Sequence, residues 1–143
     1  MFNTRKRYIM DVLAKQVNDL LKNQYELDFQ YDEEKAEFYF SIDMNHVCLD
    51  VRIISREADK QVLMFAYVPI KIQESQYSAV LRLINKIQMD NFDSVSLFIN
   101  ENCNQLMSQS ALNVGADFRI DEEVFRFAFY PLVSALDDHF IEF

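Results

Sequence analysis

The sequence predicts a single α+β domain, residues 1–143, in which a helix, an antiparallel four-stranded meander, a second helix, a two-stranded hairpin and a third helix follow in order. The first observation is that apolar spacing changes from three or four residues to two, and later back again. The second is that short polar turns separate the alternating segments, as they do in antiparallel sheets. The third is composition, because 50% hydrophobic residues and a single glycine indicate a packed core with little linker.

The first half of the chain is predicted to contain one helix and four strands. The helix should cover about Thr4 to Asn23, where apolar residues recur at helical spacing: Ile9, Val12, Leu13, Val17, Leu20 and Leu21. Alternation then predicts half-buried strands along Leu27–Tyr31, Ala36–Ile42, Val47–Ile53 and Val62–Val68. Pro69 is expected to end the fourth strand because it cannot donate to a central ladder.

The second half is predicted to contain two helices around a hairpin. The apolar face of the first of these helices comprises Tyr77, Val80, Leu81, Ile84 and Ile87, and the next strand has Val95, Leu97 and Ile99 inward. The polar segment 100–104 suits a hairpin turn. The following strand, Gln105 to Asn113, has two alternative faces: Leu106, Ser108, Ser110 and Leu112, or Met107, Gln109 and Ala111. Gly115 is expected to take a positive φ in the turn after it.

The last helix is predicted to begin at Asp121, a natural N-cap followed by two glutamates that suit the positive end of the helix dipole. Its interior has more apolar residues than one buried stripe needs. We therefore expect part of this helix to contact a protein partner or a second copy in a dimer, and the candidate contact residues are Phe127, Tyr130, Val133 and Phe129. Pro131 is expected to kink the helix or to split it.

Charge and cysteine spacing limit the class of function. The formal net charge is -9, which repels phosphate backbones, so we expect no nucleic-acid partner. Cys48 and Cys103 form no CxxC pair, which favours two reduced, partly buried thiols in a cytoplasmic protein. Asp11 interrupts the first apolar stretch, which disfavours a signal peptide. The apolar run Val124–Leu136 is too short to cross a bilayer, so no membrane partner is expected.

Residues with catalytic or metal-binding chemistry are few. His46 and His139 lie in no two-ligand motif, and His46 is expected to be an ordinary surface residue. A divalent metal could use Asp138, His139 and Glu142, although solvated terminal acids are the simpler interpretation. A single glycine argues against phosphate and dinucleotide loops. We therefore predict no cofactor, no metal and no catalytic residue.

Two charged clusters have the unfavourable sign for their helix ends. Arg5-Lys6-Arg7 would begin the first helix and Asp137-Asp138 would end the last one, each opposed by the helix dipole. One hypothesis is that the clusters face each other, within a subunit or across a dimer. The alternative is two unrelated solvated ends.

The second half also carries a resemblance to a known family. Leu83-Ile84-Asn85-Lys86-Ile87 ends a helix, Asn91-Phe92-Asp93 enters a strand, a hairpin follows, and the last helix begins with acidic residues. Together with the order of elements, this pattern resembles the YbjN family of proposed bacterial sensory transduction regulators, within the type III secretion chaperone-like fold. The resemblance implies an α+β domain, often dimeric, that binds or regulates other proteins without chemistry, and it transfers no catalytic residue.

Three functions are compatible with these patterns. The first is a chaperone- or adaptor-like protein-binding module, a homodimer that binds a basic or amphipathic client segment. The second is an acidic immunity or antitoxin-like protein whose charge steers it onto a basic toxin. The third is a small enzyme with a carboxylate site, for which a deep pocket with convergent acids would be needed.

Overall fold

The computed structural model describes residues 11–90 and 95–140 of the chain. The helices in this part are α1 (Val12–Asp19), α2 (Tyr77–Asp90) and α3 (Glu122–Asp138). The strands are β1 (Gln30–Asp32), β2 (Glu37–Asp43), β3 (Cys48–Arg56), β4 (Gln61–Lys71), β5 (Ser96–Asn100) and β6 (Gln105–Asn113). The predicted α+β class and order of elements are confirmed.

The strands form one antiparallel sheet in the order β1-β2-β3-β4-β6-β5. β1 to β4 make the predicted meander, and β6 pairs with β4 so that β5 lies at the outer edge. The helices lie beside different strands: α1 contacts β3, α3 contacts β4 and β6, and α2 contacts β5. The core includes the fully buried residues Leu13, Val17, Phe38, Ile53, Met64, Phe125, Leu132 and Leu136.

The described part of the first helix is shorter than the predicted span. Asp11 caps α1 by accepting a hydrogen bond from the Ala14 backbone N–H at 2.7 Å, and a π-helical turn, Leu20–Gln24, follows α1. Residues 4–10 of the predicted helix lie outside the described residues. Val12 was predicted on the buried face but is 54% exposed, because it lies on the side of α1 away from the buried residues Leu13, Ala14 and Val17.

The first strand is also shorter than predicted. Only Gln30–Asp32 pairs with β2, although Leu27–Tyr31 alternates as a strand would. Glu26 has a positive φ of 51° and turns the chain just before this segment. The Leu27 backbone N–H donates to the Leu21 carbonyl at 2.9 Å, so the start of the predicted strand is bound to the helical end instead of the sheet.

The prediction that Pro69 ends the fourth strand is wrong. β4 continues to Lys71, with a register shift between Tyr67 and Lys71 where it pairs with β6. β3 pairs with β4 only as far as Tyr67, so Pro69 needs no donor on that side. The shift takes Pro69 out of the ladder with β6, which is where sheets tolerate proline.

The face of β6 that meets the helices is fixed by α3. Ser108 and Ser110 are buried under this helix, and their Oγ atoms donate to the Leu132 carbonyl at 2.7 Å and the Ala128 carbonyl at 2.9 Å. These short side chains satisfy their own hydrogen bonds while letting the helix approach the strand. α3 runs through Pro131 as one helix, so the predicted split is wrong. Buried residues on both sides of the proline keep the helix on the sheet.

The loop between β6 and α3 is held by α1. The Gln16 side-chain amide accepts from the Ile120 backbone N–H at 2.7 Å and donates to the Phe118 carbonyl. Phe118, not Gly115, has the positive φ, at 56°, so the prediction for Gly115 is wrong. Phe118, which has the left-handed backbone conformation, is therefore also the residue whose carbonyl accepts the hydrogen bond from Gln16.

Candidate protein-binding surfaces

Within the described residues, the sheet has one face covered by helices and a second face without such cover. The residues of β3 and β4 that face the core are at most 6% exposed, whereas most of the alternating residues on the second face are half-buried. Met107 lies on this second face between Tyr67 and Phe98 and is buried by its neighbours. Around it, apolar side chains that remain partly exposed are Ile54, Leu63, Phe65, Tyr67, Phe98 and Ala111. We call these six residues the open sheet face. A contiguous apolar surface on a single domain is typical of a site of protein contact.

An ion pair between the buried Glu37 and the partly exposed Arg52 lies on the same side of the sheet, near β1. Glu37 is 1% exposed, and its carboxylate accepts hydrogen bonds from the Arg52 guanidinium and from the Tyr39 hydroxyl. The Arg52 guanidinium also lies over the Tyr39 ring, 5.7 Å from its centroid. Arg52 is thus already paired with Glu37. This cluster is therefore part of the structure of the sheet and does not offer an unpaired charge to a partner.

The ion pair changes the ionisation of its neighbours. The hydrogen bond to Glu37 raises the pKa of Tyr39, and burial adds to the effect. Burial by itself would lower the pKa of Arg52, but the hydrogen bond and the charge of Glu37 raise it overall. Near neutral pH, Tyr39 is therefore protonated and Arg52 is charged.

A groove lies where the chain before β1 meets this side of the sheet. Its volume is about 410 Å³, and its lining includes Asp28–Gln30 on one side and Tyr39, Ser41, Asp50 and Tyr67 on the other. The Ser41 Oγ donates to Asp50 Oδ1 at 2.7 Å across the β2–β3 pair. The groove combines two carboxylates with aromatic rings, and we call it the acidic groove.

α3 carries an exposed apolar stripe on the side away from the sheet. Val124, Phe127 and Tyr130 recur every three residues and are 44%, 68% and 64% exposed. Residues at this spacing lie along one side of a helix. We call these three residues the α3 stripe.

The four predicted contact residues separate into two pairs. Phe127 and Tyr130 belong to the α3 stripe, and their contact role stays a prediction. Phe129 and Val133 are 4% and 2% exposed, because they lie on the side of α3 that packs on the sheet. They are core residues and are not available to a partner. Sequence analysis missed Val124, although its spacing of three residues from Phe127 was a usable signal.

The end of α3 is bound to the turn between β2 and β3. Asp137 is 2% exposed, and its carboxylate accepts the backbone N–H groups of His46 at 2.7 Å and Asn45 at 3.3 Å. His46 Nδ1 also lies 3.1 Å from the Asp137 carbonyl oxygen. The expectation of a solvated Asp137 is therefore wrong, whereas His46 is exposed at the surface as expected and also contacts Asp137. The basic cluster at residues 5–7, proposed to face Asp137, lies outside the described residues.

The metal-binding alternative receives no support from the described residues. Asp138 is exposed, His139 is half-buried, and Glu142 lies outside the described residues. Across residues 11–90 and 95–140, no group of three His, Cys, Asp or Glu side chains could hold a metal ion. Cys48 is exposed rather than partly buried as expected, Cys103 is half-buried, and both are free thiols. None of the described helices combines the length and the apolar character needed to span a membrane.

A second groove, of about 360 Å³, lies between α2 and the end of β4. Its lining is mainly aliphatic and includes Val68, Ile70, Ile72, Val80, Leu83 and Leu106. Lys71 is the one ionisable residue among the described residues that line it, with no acid or second base beside it, so this groove suits apolar contact rather than a reaction.

Comparisons with known proteins support the fold. No family model and no curated protein matches the chain. The crystal structure of YbjN from E. coli is similar, with a TM-score of 0.65 and 14% identity over 94% of this chain and 92% of that one. The fold is YbjN-like.

A second similar structure is that of the ExsC–ExsE complex. The matched chain has a TM-score of 0.57 and 14% identity, over 91% of this chain and 94% of that one. The predicted type III secretion chaperone-like fold is therefore confirmed.

Proposed function

We propose that this protein is a non-catalytic protein-binding module, chaperone- or adaptor-like, that acts as a homodimer in the cytoplasm. The observation that carries the proposal is the open sheet face, an apolar surface on the side of the sheet away from the described helices. The ExsC–ExsE structure supports it, because there a chain of this fold is seen in a complex between proteins. The free thiols of Cys48 and Cys103 agree with a reducing compartment.

The two apolar surfaces are proposed to have different occupants. The α3 stripe contacts a second copy of the chain, and the open sheet face contacts the partner segment. The two lie on opposite sides of the sheet, so self-association through α3 leaves the open sheet face accessible. This division lets one subunit dimerise and bind a partner at the same time.

The α3 stripe has the symmetry that a two-fold dimer needs. Its residues are evenly spaced about Phe127, so an antiparallel helix pair brings Val124 against Tyr130 of the second copy. Phe127 then meets its own equivalent at the two-fold axis. Such an isologous contact is the commonest way in which soluble proteins form homodimers.

The area of the α3 stripe sets the expected strength of the dimer. Its exposed surface is roughly 300 Å², since a Phe or Tyr side chain has about 150 to 250 Å² to bury. A stable interface buries about 800 Å² per partner, so polar residues beside the stripe must supply the remainder. We therefore expect a dimer that dissociates at micromolar concentrations.

Solution mass by light scattering across a micromolar dilution series tests this proposal. The wild-type chain should approach twice its monomer mass at the high end of the series and the monomer mass at the low end. Phe127→Ser should remain monomeric throughout, because it removes the residue at the two-fold axis. Leu81→Ser is the matched control, since Leu81 is a 50% exposed apolar residue on α2.

The outcomes separate the alternatives. A wild-type chain that is monomeric at every concentration would contradict the homodimer. Dissociation by Leu81→Ser and not by Phe127→Ser would move the dimer contact to α2 and contradict the role of the α3 stripe.

A further inference from the structure

The acidic groove brings two carboxylates to one aromatic cavity. Asp28 comes from the segment before β1, and Asp50 comes from near the start of β3. Tyr39 and Tyr67 line the groove from β2 and β4. The volume of about 410 Å³ lies in the range of natural ligand pockets, about 300 to 1,000 Å³.

The position of Asp50 is set by the sheet. Ser41 lies opposite it on β2 and Tyr67 lies opposite it on β4, so the three side chains form one row across the strands. The hydrogen bond from Ser41 occupies Oδ1 of Asp50 at 2.7 Å. Since a carboxylate has two oxygens that can accept several bonds, Asp50 retains acceptor capacity toward the groove.

The negative charge of the groove is not balanced by its own lining. Among the described residues that line it, none is basic. Arg52, in the next row of the sheet, is already bound to Glu37. The groove therefore has two aspartates with no basic residue in its lining, in a chain whose net charge is -9. Of its two tyrosine rings, Tyr39 already contacts the Arg52 guanidinium, and Tyr67 lies in the same row as Asp50.

A guanidinium group fits this combination of side chains better than other cations do. It binds a carboxylate through a planar fork of N–H groups and stacks on an aromatic ring at the same time. We propose that the acidic groove binds an arginine side chain of a basic partner segment. The inference deepens the proposed function and rests on it, because it names the chemistry by which the module recognises its partner.

Binding of a basic peptide measured by fluorescence anisotropy tests the proposal. The probe is a fluorescein-labelled heptapeptide of alternating arginine and valine. Its control is the same peptide with citrulline in place of arginine, which keeps the shape of the side chain and removes its charge. The arginine peptide should bind wild-type protein about 4- to 25-fold more tightly than the citrulline peptide, because contacts with Asp28 and Asp50 each contribute about a factor of two to five.

Variants of the protein locate the site of binding. Asp50→Asn and Asp28→Asn should each weaken binding of the arginine peptide about fivefold, while the citrulline peptide is unaffected. Glu123→Gln is the matched control, because it removes the same unit of charge at an exposed position on α3. Its affinity should remain within a factor of two of wild type. Light scattering on each variant checks that self-association is unchanged.

Three results of the peptide-binding experiment would each overturn a different part of the proposal. Equal weakening by Glu123→Gln and Asp50→Asn would mean that net charge alone attracts the peptide, which would overturn the groove. Equal binding of both peptides would overturn the role of arginine. Binding that appears only after removal of residues 1–10 would assign the groove to the chain's own basic cluster and also overturn the proposal. None of these results depends on the dimer measured with Phe127→Ser, so the two proposals fail separately.

Discussion

The two faces of the sheet use the same strands and the same alternation but different polar chemistry. On the covered face, most polar groups bind backbone: Ser108 and Ser110 donate to carbonyls of α3, and Asp137 accepts N–H groups of the β2–β3 turn. Ser55 instead donates to the Asp11 carboxylate that caps α1. On the other face, polar side chains bind one another, as Ser41 does with Asp50. Bonds to backbone hold elements in place, whereas Asp50, whose Oδ1 accepts from a side chain on an open surface, retains acceptor capacity for a partner. The buried serines and Asp137 of the covered face are therefore satisfied within one chain, whereas Asp50 on the other face can still accept a hydrogen bond from a partner.

The largest expected effect contrasts two neighbouring residues of β4. Met64 is fully buried on the covered face, and Met64→Ala should lower the free energy of unfolding by about 3 kcal/mol, through lost burial and the cavity left behind. Phe65 is half-buried on the open sheet face, and Phe65→Ala should lower it by only about 1 kcal/mol. Urea unfolding followed by circular dichroism measures both. A loss of similar size at the two positions would break the comparison, since it would mean that the second face is also packed.

An intermediate effect contrasts two aspartates. Asp137→Asn removes a buried carboxylate that accepts two backbone N–H groups, so the free energy of unfolding should fall by about 2 kcal/mol. Asp50→Asn alters a partly exposed group bound to Ser41 and should change it by less than about 0.5 kcal/mol. The same unfolding experiment gives both values. If Asp50→Asn cost as much as Asp137→Asn, the acidic groove would be a structural site rather than a binding site.

The smallest expected effect is a dependence on alkaline pH at Tyr39. Its pKa is raised in the folded protein by the hydrogen bond to Glu37, so folding favours the protonated phenol. That contribution is complete below the unfolded pKa of about 10 and is lost as the pH rises through the folded pKa. Between about pH 8 and pH 11, wild type should therefore lose more stability than Tyr39→Phe, by less than about 1 kcal/mol.

Unfolding at the two pH values supplies the check on Tyr39. The other tyrosines are present in both proteins, so their ionisation cancels in the comparison. Equal losses for wild type and Tyr39→Phe would show that the Tyr39–Glu37 bond does not couple to folding, and would weaken the view that this cluster is structural.

The order of elements could be predicted from the sequence because it rests on local patterns. Alternation located β2, β3 and β4, and helical spacing located α2, since each pattern lies within a few neighbouring residues. The acidic first turn located the start of α3 for the same reason. Errors arose where a contact across the fold overrides the local preference. Pro69 stays in β4 because the pairing of β4 with β3 stops at Tyr67.

The site was less predictable because its residues are distant in sequence. Asp28 and Asp50 meet at one groove only after β1, β2 and β3 have paired, and nothing in their local sequence marks them. His46 and Asp137 are 91 residues apart, so their contact has no local signal either. The split of the predicted contact residues, with Phe127 exposed and Phe129 buried, required the exact orientation of α3 on the sheet.

The contact between Gln16 and Ile120 also bears on how the protein folds while it is being synthesised. It joins α1 to Ile120, 104 residues later, and the covered face of the meander is closed by α3. At about 5 to 20 residues per second, the ribosome needs roughly 3 to 13 s to pass from Lys71 to Leu136. During this time the β1–β4 meander has emerged with its apolar face uncovered by α3. Until the last helix is complete, the nascent chain thus exposes apolar surface of the kind that makes folding intermediates prone to aggregate.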